Sequence, residues 1–574
     1  MSEIKNGRTS RIGRCTQGGF SKVAVILTTA AVAALILVGG ATYAKRPQSA
    51  QSSKVATPPD WSMGNLADQG RPDPATQLHP TTPQEQRAHE HEWWRLGDDN
   101  DYLVTPEANY LRWPLPAGEE KYADVKGEDV KRRELEVVAI SEQSRKDGNQ
   151  LWGRIAGTKY DHMSSEWVQA QLKKDPGMEV HVQPQDLPTE WMPTSWQASV
   201  SFGGKSYNVT SAMPIPNSVG TTGPVESDVV WVGDGWKADF KGRDLKGKVA
   251  LMYSAVTPGG EDSVRIWADG LKRAADAGAV LAVEILGVPG NATNFHGTPA
   301  PGVPSIVISD DEGLAIREAL EKDQPVKFKL NLKVEQLKGL KTETTWGVLP
   351  GMSDEKIIFL AHHDAYFDGA MDNASGMAMM QYIAARYAAM PKEQRKRTMV
   401  FMDTPLHHSF TVENGGGNGV GAKWLHDNVD KLFPNTVMAI NCEHITETQF
   451  DNLGAGVMST NTTVGHPFFV DGSDDFKNLV MSTFREFGVA VYRLREPSPG
   501  GELGQTQFFK MFPSFHVIDR EFYHTSNDTP DWTPANGEES TTRAYLKIID
   551  TVESWPTSKL WGNFKSTDQK MTGN

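Results

Sequence analysis

The chain is poor in cysteine, has no excess of basic residues and lacks a serine-nucleophile motif, and each absence excludes a class of protein. The two cysteines, Cys15 and Cys442, are too few and too far apart for a disulfide framework or a Cys-x-x-Cys metal knuckle. The formal net charge is −14 and no lysine/arginine stripe is present, which excludes nucleic acid as a partner. Without a Gly-x-Ser-x-Gly elbow, and with Cys442 inside a strand pattern, a serine or cysteine nucleophile is also excluded.

One long uncharged segment, VAVILTTAAVAALILVGGATYA, lies between Lys22 and Lys45. Basic residues precede it, and this charge bias keeps the amino terminus in the cytoplasm. The segment is long enough to cross a bilayer, and its last residues, 41–44, are mostly small, as signal peptidase requires. We therefore predict that residues 1–44 are a cleaved signal peptide or a retained membrane anchor. The rest of the chain is expected outside the cytoplasm, either periplasmic or secreted.

The chain of 574 residues is too long for one hydrophobic core, so we expect several domains. Residues 45–88 are rich in Pro, Ser and Gln and read as a linker. Residues 89–200 begin the main domain. Residues 201–340 alternate short strands such as KVALMY with short helices, which predicts a smaller inserted α/β domain. Residues 341–574 complete the main domain.

The pattern after residue 340 predicts the fold class of the main domain. KIIFLAHHD, RTMVFMD and TVMAINCEH are apolar strands, and helical patterns such as GMAMMQYIAARYAAM separate them. Apolar strands alternating with helices predict an α/β fold, with a mostly parallel central sheet covered by helices on both faces. Ligands bind such sheets beyond the carboxyl ends of the strands, where His362, Asp364 and Glu443 fall.

The stretch AHHDAYFDGAMDNASG, residues 361–376, concentrates metal-ligand residue types in one turn-rich segment. Histidine nitrogen and carboxylate oxygen are the ligands that zinc and transition metals take. His362 and Asp364 are two residues apart on an extended chain and share a face, so Asp364 can support His362 from behind. The small residues around Asp372 allow close approach of the backbone to a metal.

Four motifs, AHHD, MDNASG, AINCEH and YHTSNDTPD, resemble those of the di-zinc exopeptidases of the aminopeptidase and glutamate carboxypeptidase family, peptidase family M28. The resemblance covers roughly residues 130–550, and residues 201–340 resemble a protease-associated domain. It implies a zinc-exopeptidase fold and hydrolysis of terminal peptide bonds through a metal-bridged water, by an aminopeptidase or carboxypeptidase. It also implies two zinc ions, or one, and these metal ligands: His362, Asp372, Glu443 and His524.

The chain departs from the family after RTMVFMD, where His407 and His408 stand in place of a Glu-Glu pair. His408 can still bind zinc, since imidazole is as suitable a ligand as carboxylate. The general base is then either His407, by its position, or Glu413 in the following glycine-rich loop, by its chemistry. Asp364 supports the site, and Glu502, Gln505 and Tyr523 are candidates for the substrate pocket.

The predicted partner is a peptide substrate, and the membrane is a partner only through the amino-terminal segment. No oligomeric state follows from the sequence. Because the Glu-Glu pair is missing, an alternative function is a catalytically impaired relative that binds peptides or acts as a receptor. A third hypothesis is a metal hydrolase of an amide other than a peptide.

Overall fold

The computed structural model describes residues 112–254, 268–288, 291–296, 300–408, 419–452, 457–518 and 522–567. The predicted amino-terminal segment, the linker and Glu413 lie outside these residues. None of the helices within them combines the length and the apolar character that a membrane crossing requires. All of them belong to one unit of the chain, Gly70–Asn574.

The described residues form ten α-helices, and several short 3-10 turns connect the elements. The helices are α1 Gly127–Lys146, α2 Lys159–Leu172, α3 Ala268–Asp276, α4 Asp310–Glu321, α5 Gly376–Ala388, α6 Val420–Leu432, α7 Asp474–Glu486, α8 Gly501–Gln505, α9 Ala535–Ser554 and α10 Thr557–Trp561.

Twenty strands lie between these helices in the described residues. They are β1 Gly153–Arg154, β2 Glu179–Asp186, β3 Glu190–Phe202, β4 Lys205–Asn208, β5 Met213–Pro214, β6 Val225–Trp231, β7 Val249–Tyr253, β8 Leu281–Ile285, β9 Ser305–Ile308, β10 Lys327–Leu337, β11 Lys341–Leu349, β12 Lys356–His362, β13 Ala365–Tyr366, β14 Thr398–Thr404, β15 Thr436–Asn441, β16 Thr448–Asn452, β17 Val457–Thr463, β18 His466–Asp471, β19 Val491–Leu494 and β20 Ser514–Val517.

The first large sheet has eight strands in the order β19-β18-β20-β15-β12-β14-β11-β2. Its four central strands, β20, β15, β12 and β14, are parallel. Alternate residues of β12 enter two different cores: Phe359 packs in one with α1, α5 and α9, and Leu360 packs in the other with α6. Helices thus cover both faces, and the predicted α/β fold with a parallel-centred sheet is confirmed.

The second large sheet also has eight strands, in the order β4-β3-β10-β6-β7-β8-β9-β5. Strands β6 to β9 are parallel, and α3 and α4 follow β7 and β9 in the chain. The first strand of this sheet in the chain, β3, begins at Glu190, before the predicted boundary at residue 201. It belongs to the second sheet because it pairs along its length with β10. The division into domains and the protease-associated resemblance remain predictions.

Helix α2 begins earlier than the sequence pattern suggests. The stretch MSSEWVQAQLKKDPG predicts a helix capped by Ser164 or Ser165, but the cap is Thr158, whose hydroxyl accepts from the backbone N–H of Tyr160 at 3.3 Å. Ser164 instead lies inside the helix and donates to the Tyr160 carbonyl at 3.0 Å. A serine within a helix satisfies its hydroxyl in this way without ending or starting the helix.

Candidate metal centre

Several polar side chains meet at one edge of the first sheet. The carboxyl ends of β12, β14, β15 and β20 are neighbours there, because the four strands are parallel and adjacent. A turn at Ala370–Ser375 follows β12 and carries Asp372. All of the side chains gathered at this edge are buried: His362, Asp364, Asp372, His407, His408, Glu443, His444, Glu502 and His524.

Asp372 lies at the centre of this group and faces four imidazoles. Its Oδ1 is 3.2 Å from Nε2 of His362 and 2.9 Å from Nε2 of His444. Its Oδ2 is 3.2 Å from Nε2 of both His408 and His524. The carboxylate therefore divides the histidines into two pairs, one at each oxygen.

These separations fit a pair of metal ions that share Asp372. Two ligand atoms of a tetrahedral zinc ion, each about 2.0–2.2 Å from the metal, lie roughly 3.3–3.5 Å apart. Among the described residues, Nε2 of His362, His408 and His524 lies near an Asp372 oxygen but makes no well-aligned hydrogen bond. Buried polar atoms are rarely left without one, since each such atom costs about 1–3 kcal/mol. The donor set therefore fits two metal ions.

The electrostatics of the group favour cations at Asp372. Burial alone would raise the pKa of Asp372, but His408 and His444 hold it well below its usual range. Burial would lower the pKa of His408, yet Asp372 and Asp364 raise it to about 10. Similarly, Glu502 and Asp372 outweigh burial and raise the pKa of His362 to about 9. The carboxylate thus stays ionised, and metal ions binding here would displace protons from the imidazoles.

His444 is a candidate ligand that the sequence reasoning missed. The sequence predicts only Glu443 of this pair as a ligand, and both residues follow β15, which ends at Asn441. The backbone at His444 is left-handed, with φ +47, and this turn brings both side chains to the same side. Asn373 holds the turn: its Oδ1 accepts from the His444 N–H at 3.3 Å and its Nδ2 donates to the Cys442 carbonyl at 3.2 Å.

Glu443 lies beside the metal group and has other partners too. Its Oε1 is 3.6 Å from Nε2 of His444 and 3.8 Å from Nε2 of His407. Its Oε2 accepts from the Asn441 side chain at 2.6 Å and from the Glu502 backbone N–H at 3.3 Å. Glu443 is thus placed to join the His362 and His444 side of the centre.

Asp364 supports the two-histidine turn more than it supports His362. Its carboxylate accepts the backbone N–H groups of His407 at 3.0 Å and His408 at 2.8 Å, and it lies 3.4 Å from Nδ1 of His408. Toward His362 the closer atom is the Asp364 backbone carbonyl, 3.0 Å from Nδ1, whereas the carboxylate is 3.9 Å away. The predicted support of His362 therefore comes through the main chain.

His407 lies among the potential metal ligands, but its ring is stacked on that of His362. The two rings are 4.0 Å apart between centroids and 13° from parallel. Two stacked rings direct their nitrogens side by side rather than toward a common point, so His362 would hold a metal ion without His407. Nδ1 of His407 makes a short hydrogen bond with Glu502, and burial together with His362 holds the pKa of His407 well below its usual range.

The remaining predicted pocket residues surround the centre. Gln505 donates to the His407 carbonyl at 3.1 Å and accepts from Gly419 N–H at 3.2 Å, so it links α8 to these two residues. Tyr523 stacks on His524 at 3.6 Å between ring centroids, and its ring is 5.5 Å from that of His444.

Asp528 is a supporting residue to which the sequence reasoning gave no role, although it lies in the YHTSNDTPD motif. Its two carboxylate oxygens accept the backbone N–H groups of Met371 at 2.6 Å and Asp372 at 3.1 Å. Burial and the nearby charge of Asp372 raise the pKa of Asp528 to about 7. The motif thus supplies a metal-ligand candidate, His524, and a side chain that fixes the central Asp372.

Known proteins share this fold and part of this sequence. Residues 345–404, which include His362 and Asp372, match the model of Peptidase family M28. A zinc aminopeptidase from Bacillus subtilis has 18% identity and a TM-score of 0.51, covering 77% of this chain and 99% of its own. A Peptidase M28 precursor from Shewanella amazonensis SB2B has 17% identity and a TM-score of 0.53, covering 76% and 98%. No curated protein matches the chain.

The similar structures show that the described residues adopt the zinc-exopeptidase α/β fold. The family match falls on β11 to β14 and the turn that carries Asp372, and the predicted resemblance to peptidase family M28 is thereby confirmed.

Proposed function

We propose that this protein is a metal-dependent exopeptidase that hydrolyses terminal peptide bonds outside the cytoplasm. The observation that carries the proposal is the shared carboxylate of Asp372, which faces four imidazole nitrogens. His362 and His444 would hold one zinc ion and His408 and His524 the other, with Glu443 beside the first. When bound, such a pair lowers the pKa of a water molecule and polarises the scissile carbonyl.

His407 is the general base in this proposal, and Glu502 orients it. With Nδ1 donating its hydrogen to the Glu502 carboxylate, Nε2 keeps the lone pair and lies 3.8 Å from Glu443. A neutral imidazole held in one tautomer by a carboxylate accepts a proton from the attacking water and returns it to the leaving amine. The low pKa of His407 keeps the ring neutral, as this role requires.

The base is tested by comparing His407→Gln with Glu413→Gln. We expect His407→Gln to lower kcat by about 10²–10⁴-fold while the metal content stays at the wild-type value. Glu413→Gln should leave kcat unchanged. A loss of metal from His407→Gln would make this residue a ligand, and a loss of kcat confined to Glu413→Gln would make that glutamate the base.

Metal content and turnover test the proposal as a whole. The full-length protein would be stripped, reloaded with zinc and measured by elemental mass spectrometry, then assayed on peptides with either terminus blocked. We expect about two zinc ions per chain and cleavage that requires one free terminus, which also distinguishes aminopeptidase from carboxypeptidase action. His362→Ala and His524→Ala should lose both metal and turnover, whereas the remote surface variant His181→Phe should keep both.

A peptide-binding protein without turnover is the second candidate. It is favoured by one observation, the two histidines at positions 407 and 408 where the family has two glutamates. This candidate predicts saturable binding of peptides, measured by calorimetry, and no cleavage of any of them after zinc loading. Metal-dependent cleavage of a peptide would exclude it, and cleavage of another amide alone would favour the third hypothesis.

The location outside the cytoplasm rests on residues 1–44 and their basic flank. A reporter enzyme that is active only after export, fused behind residue 88, should be active. An inactive reporter at normal expression would contradict this part of the proposal.

A further inference from the structure

A loop that follows strand β8 of the second sheet lies against the metal centre. Residues 291–296 follow β8, and Asn294 pairs with Thr525 as an isolated antiparallel bridge. On either side of this pair, the Ser526 N–H donates to the Thr293 carbonyl at 2.9 Å and the Phe295 N–H donates to the His524 carbonyl at 3.0 Å. The loop is therefore hydrogen-bonded to the backbone of a candidate metal ligand.

Packing fixes the loop at this place. Phe295 is buried, its ring meets Tyr366 edge-on at 4.8 Å, and it stacks near Trp191 of β3 at 6.4 Å. His524 itself has a left-handed backbone, with φ +58, a conformation that costs energy unless its surroundings hold it. The paired loop provides such surroundings.

His296, the residue after Phe295, reaches the ring of His524. The two Nδ1 atoms are 3.1 Å apart, and the His296 ring lies 5.7 Å from Tyr523. Nε2 of His524 faces Asp372 on the opposite side of the ring. An imidazole that binds a metal through Nε2 carries its hydrogen on Nδ1, so in that state His524 donates and His296 accepts.

We infer that His296 is a positioning residue of the metal centre, which fixes the tautomer and orientation of His524 from the second sheet. The inference rests on the proposed function, because it requires that His524 binds a metal. A ligating histidine usually donates its other N–H to a carboxylate or carbonyl, and removing that partner lowers metal affinity by about 10–100-fold. Here the partner is the imidazole of a residue 228 positions away.

The experiment is a metal titration of full-length His296→Phe and His296→Gln. Phenylalanine keeps an aromatic ring beside Tyr523 but removes the acceptor, whereas glutamine restores an acceptor. In a titration with zinc and a competing chelator, we expect His296→Phe to lower the affinity for one of the two zinc ions by about 10–100-fold. His296→Gln should recover most of this lost affinity. The absorption spectrum of the cobalt-loaded protein should change in His296→Phe and return toward wild type in His296→Gln.

The matched control is His181→Phe, which removes an exposed histidine stacked on Trp346 at 5.2 Å. It should leave zinc affinity and the cobalt spectrum unchanged. Thermal melting of the metal-free proteins checks the fold, and His296→Phe should melt close to wild type. Wild-type affinity for both ions in a folded His296→Phe would overturn this inference alone. A wild-type protein that binds no zinc would overturn the proposed function and this inference with it.

Discussion

Arg154 offers a sharp test of how the protein scaffold holds the metal-binding segment. The side chain is fully buried and donates four hydrogen bonds: to the Ser141 hydroxyl at 2.7 Å, to the His363 and Asp368 carbonyls at 2.9 Å, and to the Gly369 carbonyl at 3.0 Å. Three of these acceptors belong to the segment between His362 and Asp372. Arg154 therefore fixes the path of the chain from one candidate ligand to the next.

Replacing Arg154 by methionine keeps the apolar stem and removes every donor. At the low end of the roughly 1–3 kcal/mol that a buried carbonyl without a donor costs, about 1–1.5 kcal/mol each, the three carbonyls should cost the segment about 3–4.5 kcal/mol of stability. If zinc binding must bring residues 362–372 back to their wild-type conformation, the stability that they lost is subtracted from the free energy of zinc binding. Because 1.4 kcal/mol is a factor of ten, zinc affinity should fall by about two to three orders of magnitude.

Arg397→Met is the matched control. Arg397 is also fully buried and donates to the Val552 and Trp555 carbonyls at 2.7 and 2.9 Å, but it precedes β14 and so lies at the opposite edge of the sheet from the candidate ligands. Urea unfolding should show destabilisation of both variants, and a chelator titration should show weaker zinc binding only in Arg154→Met. Wild-type zinc affinity in Arg154→Met, or an equal loss in both variants, would refute the reasoning.

Three further predictions concern other groups. His444→Gln should reduce zinc to about one ion per chain by elemental analysis; two tightly bound ions would remove this residue from the centre. His363, held between Asp161 at 2.8 Å and Asp403 at 2.5 Å, points away from the centre, so His363→Gln should cost about 3–5 kcal/mol in urea unfolding yet keep zinc; lost zinc would contradict this. Burial raises the pKa of Asp310 to about 7, so between about pH 4 and 7 the folded state keeps a proton that the unfolded state releases. The free energy of unfolding should therefore fall as pH rises from about 4 to 7, and Asp310→Asn should flatten that decline. An unchanged decline in urea unfolding of the variant would refute the assignment.

The sequence predicts the parts of the centre that depend on strand ends and local motifs. His362, Asp372 and His524 each lie in a short pattern, and parallel strands carry their carboxyl ends to one edge of the sheet. His444 escapes such reasoning because its orientation depends on a left-handed backbone that Asn373 stabilises from another strand connection. His296 escapes it because the contact joins two sheets, and no residue pattern specifies that docking.

The pair His407-His408 shows how carboxylates behind two imidazoles hold them in place. Imidazole ligands are neutral and need partners behind them to fix the hydrogen-bearing nitrogen. Asp364 lies behind His408 and accepts both backbone N–H groups of the pair, and Glu502 lies behind His407. The negative charge of this turn thus lies on Asp364 and Glu502, behind the two imidazoles. Asp364 and Glu502 come from separate strand connections, and the two-histidine turn works as a unit with them. A single His407→Glu substitution would place a second carboxylate against Glu502, and the two negative charges would repel each other.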